Sequence, residues 1–240
     1  MGGLARRASI IKKLRNSTPG GRKFLLLGGN NEIFDKRDPG SIPKARTAPG
    51  FIKAYELMGY DRVYLTEDES RWLVQSGQPL PALFKAAGPG AFAEKIMVGG
   101  IPVGVVLFPE IEPGLAKPGK AAVNQVLDAA DSLEGEVKLL VGVSHWGKRA
   151  ESEFLKTSGH PFDILLGGGV GPGLEERLMN DGKTFWVRSF FKGRALNVIR
   201  IMKLPGDSGA KWVLGQNVNA DVSVLSDDIA DDPEVGGLFK

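Results

Sequence analysis

Residues 162–173 join an apolar run, Phe162-Asp163-Ile164-Leu165-Leu166, directly to Gly167-Gly168-Gly169-Val170-Gly171-Pro172-Gly173. An apolar run ending in glycines is the pattern of a buried strand where it leaves its sheet. In open α/β sheets, ligands sit at such strand ends. The loop also lacks something: between Gly167 and Gly173 no side chain can bind a metal ion or carry a proton. It is either a ligand-facing strand end that works through its backbone or a close backbone approach.

The rest of the chain supplies more strand ends. Leu4, Ala8, Ile11 and Leu14 recur at helical spacing, with Arg6, Arg7, Lys12, Lys13 and Arg15 largely on the other, solvated side. Phe24-Leu25-Leu26-Leu27 reads as a short buried strand ending in Gly28-Gly29-Asn30-Asn31, before a loop over 35–50. Phe51, Ala54, Tyr55 and Met58 mark a helix that Gly59 closes. The strand Arg62-Val63-Tyr64-Leu65 runs into Thr66-Glu67-Asp68-Glu69, read as an acidic loop. Residues 96–108 predict a hairpin turning at Gly99-Gly100. A helix follows at about 120–133, then the strand Lys138 to Val143, which ends in Ser144-His145-Trp146-Gly147. A short helix carrying Phe154 and Leu155 leads back to the glycine loop, and His160 in Gly-His-Pro is expected to be exposed. A last hairpin is expected over 185–203, turning at Lys192-Gly193-Arg194, with one more strand near 211–217.

Strands alternate with helices to residue 180 and antiparallel strands close the chain, which predicts an α/β domain with a mixed sheet or two stacked sheets. At 240 residues one large domain is expected. The net charge of +3 is too small to imply a nucleic-acid partner, and no apolar run reaches the length of a membrane span. The absence of cysteine excludes disulfides, thiolate metal sites and a cysteine nucleophile. The chain opens abruptly on Met1-Gly2-Gly3 and ends without an obvious stop, as expected of a piece of a longer protein.

Familiar motifs fail on inspection. Gly182-Lys183-Thr184 lacks the earlier glycine of a phosphate loop, since Arg177 stands there, and Asn180-Asp181-Gly182 reads as a turn before a strand. The glycines of 167–173 match G-x-G-x-x-G in no register. His145, one of only two histidines, is either a structural residue at a strand end or a functional one. Glu67, Asp68 and Glu69 are either solvated or hard-oxygen metal ligands.

Taken together, the strand ends resemble the metallophosphoesterase domain of the 5′-nucleotidase family, in the calcineurin-like superfamily. The resemblance runs through nearly the whole chain. Gly2 to Arg15 is similar to the segment after the family's first metal motif, and Phe24 to Asn31 resembles its "LLLDAGD" strand. Tyr55 to Glu69 resembles the segment ending "LGYDAVTLGNHE", and Gly99 to Leu107 resembles "GVKVGVIGL". Val141 to Gly147 resembles "VLSHLG", and Phe162 to Gly171 resembles "DVIIGGHSH". The resemblance implies an α-β-β-α sandwich of two stacked mixed sheets flanked by helices.

What it implies for chemistry is mixed. The family hydrolyses phosphate esters with two metal ions that polarise the phosphoryl group and generate hydroxide. Its bridging aspartate corresponds to Asn31, its ligand asparagine to Glu67 and its catalytic histidine to Asp68. Only Glu69 and His145 match as written. Two further histidine ligands correspond to Gly169 and Gly171, and the first aspartate and histidine would precede Met1. The expectation is therefore a domain that has lost the dinuclear centre and acts in binding or scaffolding. It would be free of metal altogether or hold a single hard cation on Glu67, Asp68 and His145. Its glycine loop would hold a small or phosphate-containing anion through backbone N–H groups at Gly169 and Gly171, and other segments of a longer chain would be its partners. The competing expectation is a metal-dependent phosphate-ester or nucleotide hydrolase. Family members are commonly exported, which implies an extracytoplasmic, periplasmic location.

Overall fold

A computed structural model of the chain describes residues 3–17, 23–29, 31–35, 38–112, 114–156, 160–173, 175–189, 193–205 and 211–240. The chain divides into two compact units. The first comprises residues 1–86, 191–196 and 223–240, and the second residues 87–190 and 197–222.

In the first unit, α1 (Leu4–Asn16), α2 (Ala48–Met58) and α3 (Glu67–Gln75) accompany three short strands, β1 (Leu27–Gly28), β2 (Arg62–Leu65) and β3 (Phe84–Ala86). The strands form one parallel sheet in the order β1-β2-β3. Ala8, Ile11, Ala54, Tyr55, Met58, Val63, Leu65 and Leu73 pack into its core, which is the helical and strand periodicity of the sequence turned into contacts. Gly59 closes α2 in the left-handed region, at φ 68°. The expected strand at 24–27 is shorter than its apolar run. Only Leu27 and Gly28 enter the ladder, opposite Arg62 and Val63 on β2; Leu26 bonds to Asp61 and Arg62 ahead of it, and Phe24 is exposed.

The basic face of α1 is not simply solvated. Arg6 pairs with Asp227 and Asp231, Lys12 with Asp232 and Glu234, and Arg15 donates to the carbonyls of Met58 and Gly59. Arg7 is buried. These acidic partners precede and begin α6 (Pro233–Gly237), whose Asp232 cap accepts the N–H of Val235.

The second unit holds a six-stranded mixed sheet. Its elements are β4 (Phe92–Val98), β5 (Ile101–Leu107), α4 (Lys120–Asp131), β6 (Leu139–Val143), α5 (Lys148–Lys156), β7 (Ile164–Gly167), β8 (Glu175–Met179) and β9 (Thr184–Arg188). The order is β4-β5-β6-β7-β9-β8, with β5, β6, β7 and β9 parallel and the two edge strands antiparallel. The hairpin at Gly99-Gly100 is present as expected. Phe108, Val126, Trp146, Phe154, Phe162, Leu165 and Trp186 lie in the core.

The last expected hairpin is displaced by one strand. β9 pairs with β8 across the turn at Asn180-Asp181-Gly182 and with β7 on its other side. Residues 195–201 form β10 (Ala195–Ile201), which pairs instead with β11 (Val218–Val224). Lys192, in the expected turn, lies outside the described residues. The strand expected at 211–217 begins only at Val218; Trp212 is instead buried, its N–H donating to the carbonyl of Gly182 and its indole N–H to the carbonyl of Asp163. His160 is half-buried rather than exposed, stacked at 29° on both Phe154 and Phe162. The α/β class with two principal sheets and packed helices is as the sequence predicts, and of the two sheets only the larger is mixed.

Candidate functional site

Parallel pairing sets which expected residues meet. In the first unit β1 and β2 run side by side, so the loop after Gly28 and the residues after Leu65 leave the sheet at the same edge. There the acidic triplet is not a loop but the first turn of α3. Thr66 is its N-cap: its hydroxyl accepts the N–H of Glu69 at 3.2 Å, and Glu69 returns to the N–H of Thr66 at 2.9 Å. This capping box satisfies two of the N–H groups that a helix start leaves unpaired.

Glu69 does more than cap. Its buried carboxylate accepts N–H groups from Asn31 at 3.1 Å, Ile33 at 2.6 Å and Phe34 at 3.3 Å, so one side chain holds the chain after β1 at three points. Burial pushes its carboxyl up to about 7, against the lowering effect of the Ile33, Thr66 and Phe34 N–H groups. Asn31 sits at φ 61°, and its backbone, not its amide, makes the contact with Glu69. Glu67 and Asp68 pair instead with Arg71 on the same helix, at 2.5 and 3.1 Å.

A second buried cluster braces the same loop. Glu32 accepts the N–H of Gly29 at 3.1 Å, the hydroxyl of Tyr55 at 2.8 Å and the Arg7 guanidinium. Arg7 also donates to the Tyr60 hydroxyl at 3.3 Å. Burial raises the pKa of both tyrosines, which stay neutral at physiological pH.

In the second unit β6 and β7 are parallel neighbours, with Val143 opposite Leu166, so His145 and the glycine loop leave the sheet together. Both ring nitrogens of His145 are buried and, among the described residues, have no hydrogen-bond partner. Burial lowers its imidazole to about 4, so it is neutral at pH 7. Gly169 lies at φ 73° against the backbone of His145, where a Cβ would collide with the His145 carbonyl oxygen. Gly171, at φ 117°, would place a Cβ 2.8 Å from the Cβ of Lys148.

Two residues that the sequence reading does not single out organise this loop. Glu151 on α5 and Arg188 at the end of β9 form a fully buried ion pair. Glu151 accepts the N–H of Gly168 at 3.0 Å and the Trp186 indole N–H at 3.2 Å. Arg188 donates from Nε to Pro172 O at 3.0 Å and from Nη2 to Gly168 O at 3.0 Å. Burial pushes the Glu151 carboxyl up, and the guanidinium opposes it. The sequence does carry a signal for them: Glu151 shares the apolar face of α5 with Ala150, Phe154 and Leu155, and Arg188 ends an apolar strand. Charges in such positions are buried only when paired.

With this architecture established, solved structures give it a counterpart. The chain matches the crystal structure of a 5′-nucleotidase precursor from Thermus thermophilus with a TM-score of 0.69 at 15% identity, over 99% of this chain and 52% of that one. It matches the NAD nucleotidase of Haemophilus influenzae with a TM-score of 0.65 at 12% identity, over 99% and 55%. The chain has the 5′-nucleotidase fold. It spans about half the length of each of these structures. No protein-family model and no curated protein sequence matches it.

The nucleotidase-like fold thus carries the expected residues in two groups: Asn31, Glu67, Asp68 and Glu69 at the edge of the parallel sheet, and His145, Gly169 and Gly171 at the edge of the mixed one. Asn31 meets Glu69, and His145 meets Gly169. Among the described residues no three His, Asp or Glu side chains gather into a group that could hold a metal ion, and no helix is long and apolar enough to cross a membrane.

Proposed function

We propose that this chain is a metallophosphoesterase-fold domain that does not perform two-metal phosphoester hydrolysis and acts as a binding or scaffolding module for a longer polypeptide. The observation that carries this reading is the pair Gly169 and Gly171, where the family resemblance expects imidazoles and the backbone has no room for a Cβ. The other expected ligands fit a dinuclear centre no better. Asn31 is neutral and cannot bridge two cations, Glu67 and Asp68 are paired to Arg71, and Glu69 is saturated by N–H donors. The residues present therefore do not fit the family's pair of metal ions, and no step of hydrolysis is assigned to them. The ligand class that suits the backbone N–H groups of a glycine loop is a small or phosphate-containing anion, although the neighbouring Lys148 is paired to Glu175, and the family resemblance favours an extracytoplasmic setting.

A second reading, a hydrolase that uses a single divalent cation at His145, is favoured by one observation: among the described residues His145 has no hydrogen-bond partner for either ring nitrogen. One experiment separates the two. The protein is assayed on phosphomonoesters and nucleotides with Mg²⁺, Mn²⁺ or Zn²⁺. The binding module gives no turnover above buffer. Turnover that His145→Ala abolishes would establish the hydrolase instead.

A further inference from the structure

We infer that the Arg188 guanidinium is the resident cation of the glycine loop, and that the Arg188–Glu151 pair closes the loop backbone against a metal ion even if imidazoles were restored there. The inference rests on the binding-module reading and deepens it, because it says why the site has changed rather than merely lost side chains.

Register brings the pair to the loop: Gly167 on β7 lies opposite Arg188 on β9. From there the two side chains grip Gly168 on both of its polar groups, Glu151 taking the N–H and Arg188 the carbonyl. The carbonyls of Gly169 and Val170 lie 3.5 and 3.4 Å from the same Nη2, and Pro172 O completes the set on Nε. The loop therefore turns its carbonyl oxygens toward a fixed positive charge. Those carbonyls and the Gly168 N–H are thereby spent on the buried pair and are not free to ligate a metal ion.

The glycines are backed against this arrangement. A Cβ on Gly167 would collide with the Glu151 carboxylate, one on Gly169 with His145 O, and one on Gly171 would crowd Lys148. Positive φ at Gly169 and Gly171 adds backbone strain for any L residue. These positions are closed, and a side chain cannot simply be put back.

The test uses the full chain stripped with chelator, comparing wild type, Gly169→His/Gly171→His and Glu151→Gln/Arg188→Gln. Calorimetric titration with Mn²⁺ and Zn²⁺ should show no stoichiometric uptake by the histidine variant. Its Tm should fall by about 5 °C or more, with or without metal; failure to fold is the extreme of the same result. Uptake of metal with a rise in Tm by that variant, but not by wild type, overturns this inference alone. Uptake by wild type overturns the binding-module reading as well. The Glu151→Gln/Arg188→Gln variant reads the clamp by amide exchange. Gly168 and Lys148, whose N–H groups bond to Glu151 and Val170 O, should exchange about tenfold faster while the amides of β6 hold. Unchanged exchange at both would show that the pair does not hold the loop.

Discussion

The two glycine-bearing strand ends solve one physical problem with opposite chemistry. After β1, the loop through Asn31 to Phe34 turns its N–H groups toward carboxylates, Glu32 and Glu69. After β7, the loop from Gly168 to Pro172 turns its carbonyls toward a guanidinium, Arg188. Each has an Arg–Glu pair at its base, Arg7–Glu32 and Arg188–Glu151. The difference lies in insulation. Glu32 is partly exposed and shares its charge with the Tyr55 hydroxyl, whereas Glu151 and Arg188 are entirely out of water. A fold can thus keep its strand-end loops in place with its own ion pairs, and such pairs occupy polar groups that a ligand would otherwise use.

The largest effect should come from removing the guanidinium. Arg188→Met strands a buried carboxylate and should cost about 3–5 kcal/mol in urea denaturation. Arg7→Met should cost at least about 1 kcal/mol less, because Glu32 keeps Tyr55 and some water. Equal losses would break the contrast. Next come the glycines. Gly169→Ala meets both positive φ and the His145 carbonyl and should cost about 2–3 kcal/mol. Gly29→Ala meets nothing within 4 Å and should stay within about 0.5 kcal/mol of wild type.

The two loops should also differ in their response to pH. Glu69 has its ordinary value of 4.5 pushed to about 7, so the folded state holds a proton the unfolded chain has lost. Its contribution is full below about 4.5 and is lost as pH rises through 7. His145 is the reverse: lowered from 6.5 to about 4, it contributes fully above 6.5 and loses that contribution as pH falls toward 4. Between pH 4.5 and 6.5 the two slopes oppose each other. Glu69→Gln should make stability rise more steeply with pH and His145→Gln should flatten or invert it, each by about 1 kcal/mol per pH unit. Urea midpoints across that range, in chelator, check both signs. The smallest effect belongs to the exposed pair Arg71–Glu67, where Arg71→Ala should change stability by less than about 0.5 kcal/mol.

Much of this is legible in the sequence, and the misses have physical causes. Apolar periodicity locates α2, β2, the β4–β5 hairpin and β6 because each is specified by local spacing and a glycine signal. Strand partners are not local. The apolar residues 185–187 look alike whether they pair forward or backward, so the sequence places a hairpin turn at 192–194 while β9 pairs back with β8. Phe24 and Leu25 look like strand because nothing local says that the ladder with β2 begins only at Leu27. At the site, convergence at sheet edges follows from strand order, while the roles do not. Thr66-x-x-Glu69 is a readable capping signal, yet Glu69's hold on Asn31, Ile33 and Phe34 depends on a loop 35 residues or more away in sequence. Arg188 and Glu151 are 37 apart, and only the fold makes them a pair.

The central claim is that these strand ends are held by their own buried charges and not by a dinuclear metal centre. Titration of the chelator-stripped wild-type protein with Mn²⁺ and with Zn²⁺, read by calorimetry and by metal content after dialysis, tests it most directly. The account predicts no stoichiometric uptake and no rise in Tm. Two equivalents of metal retained per chain, with a rise in Tm, would contradict it.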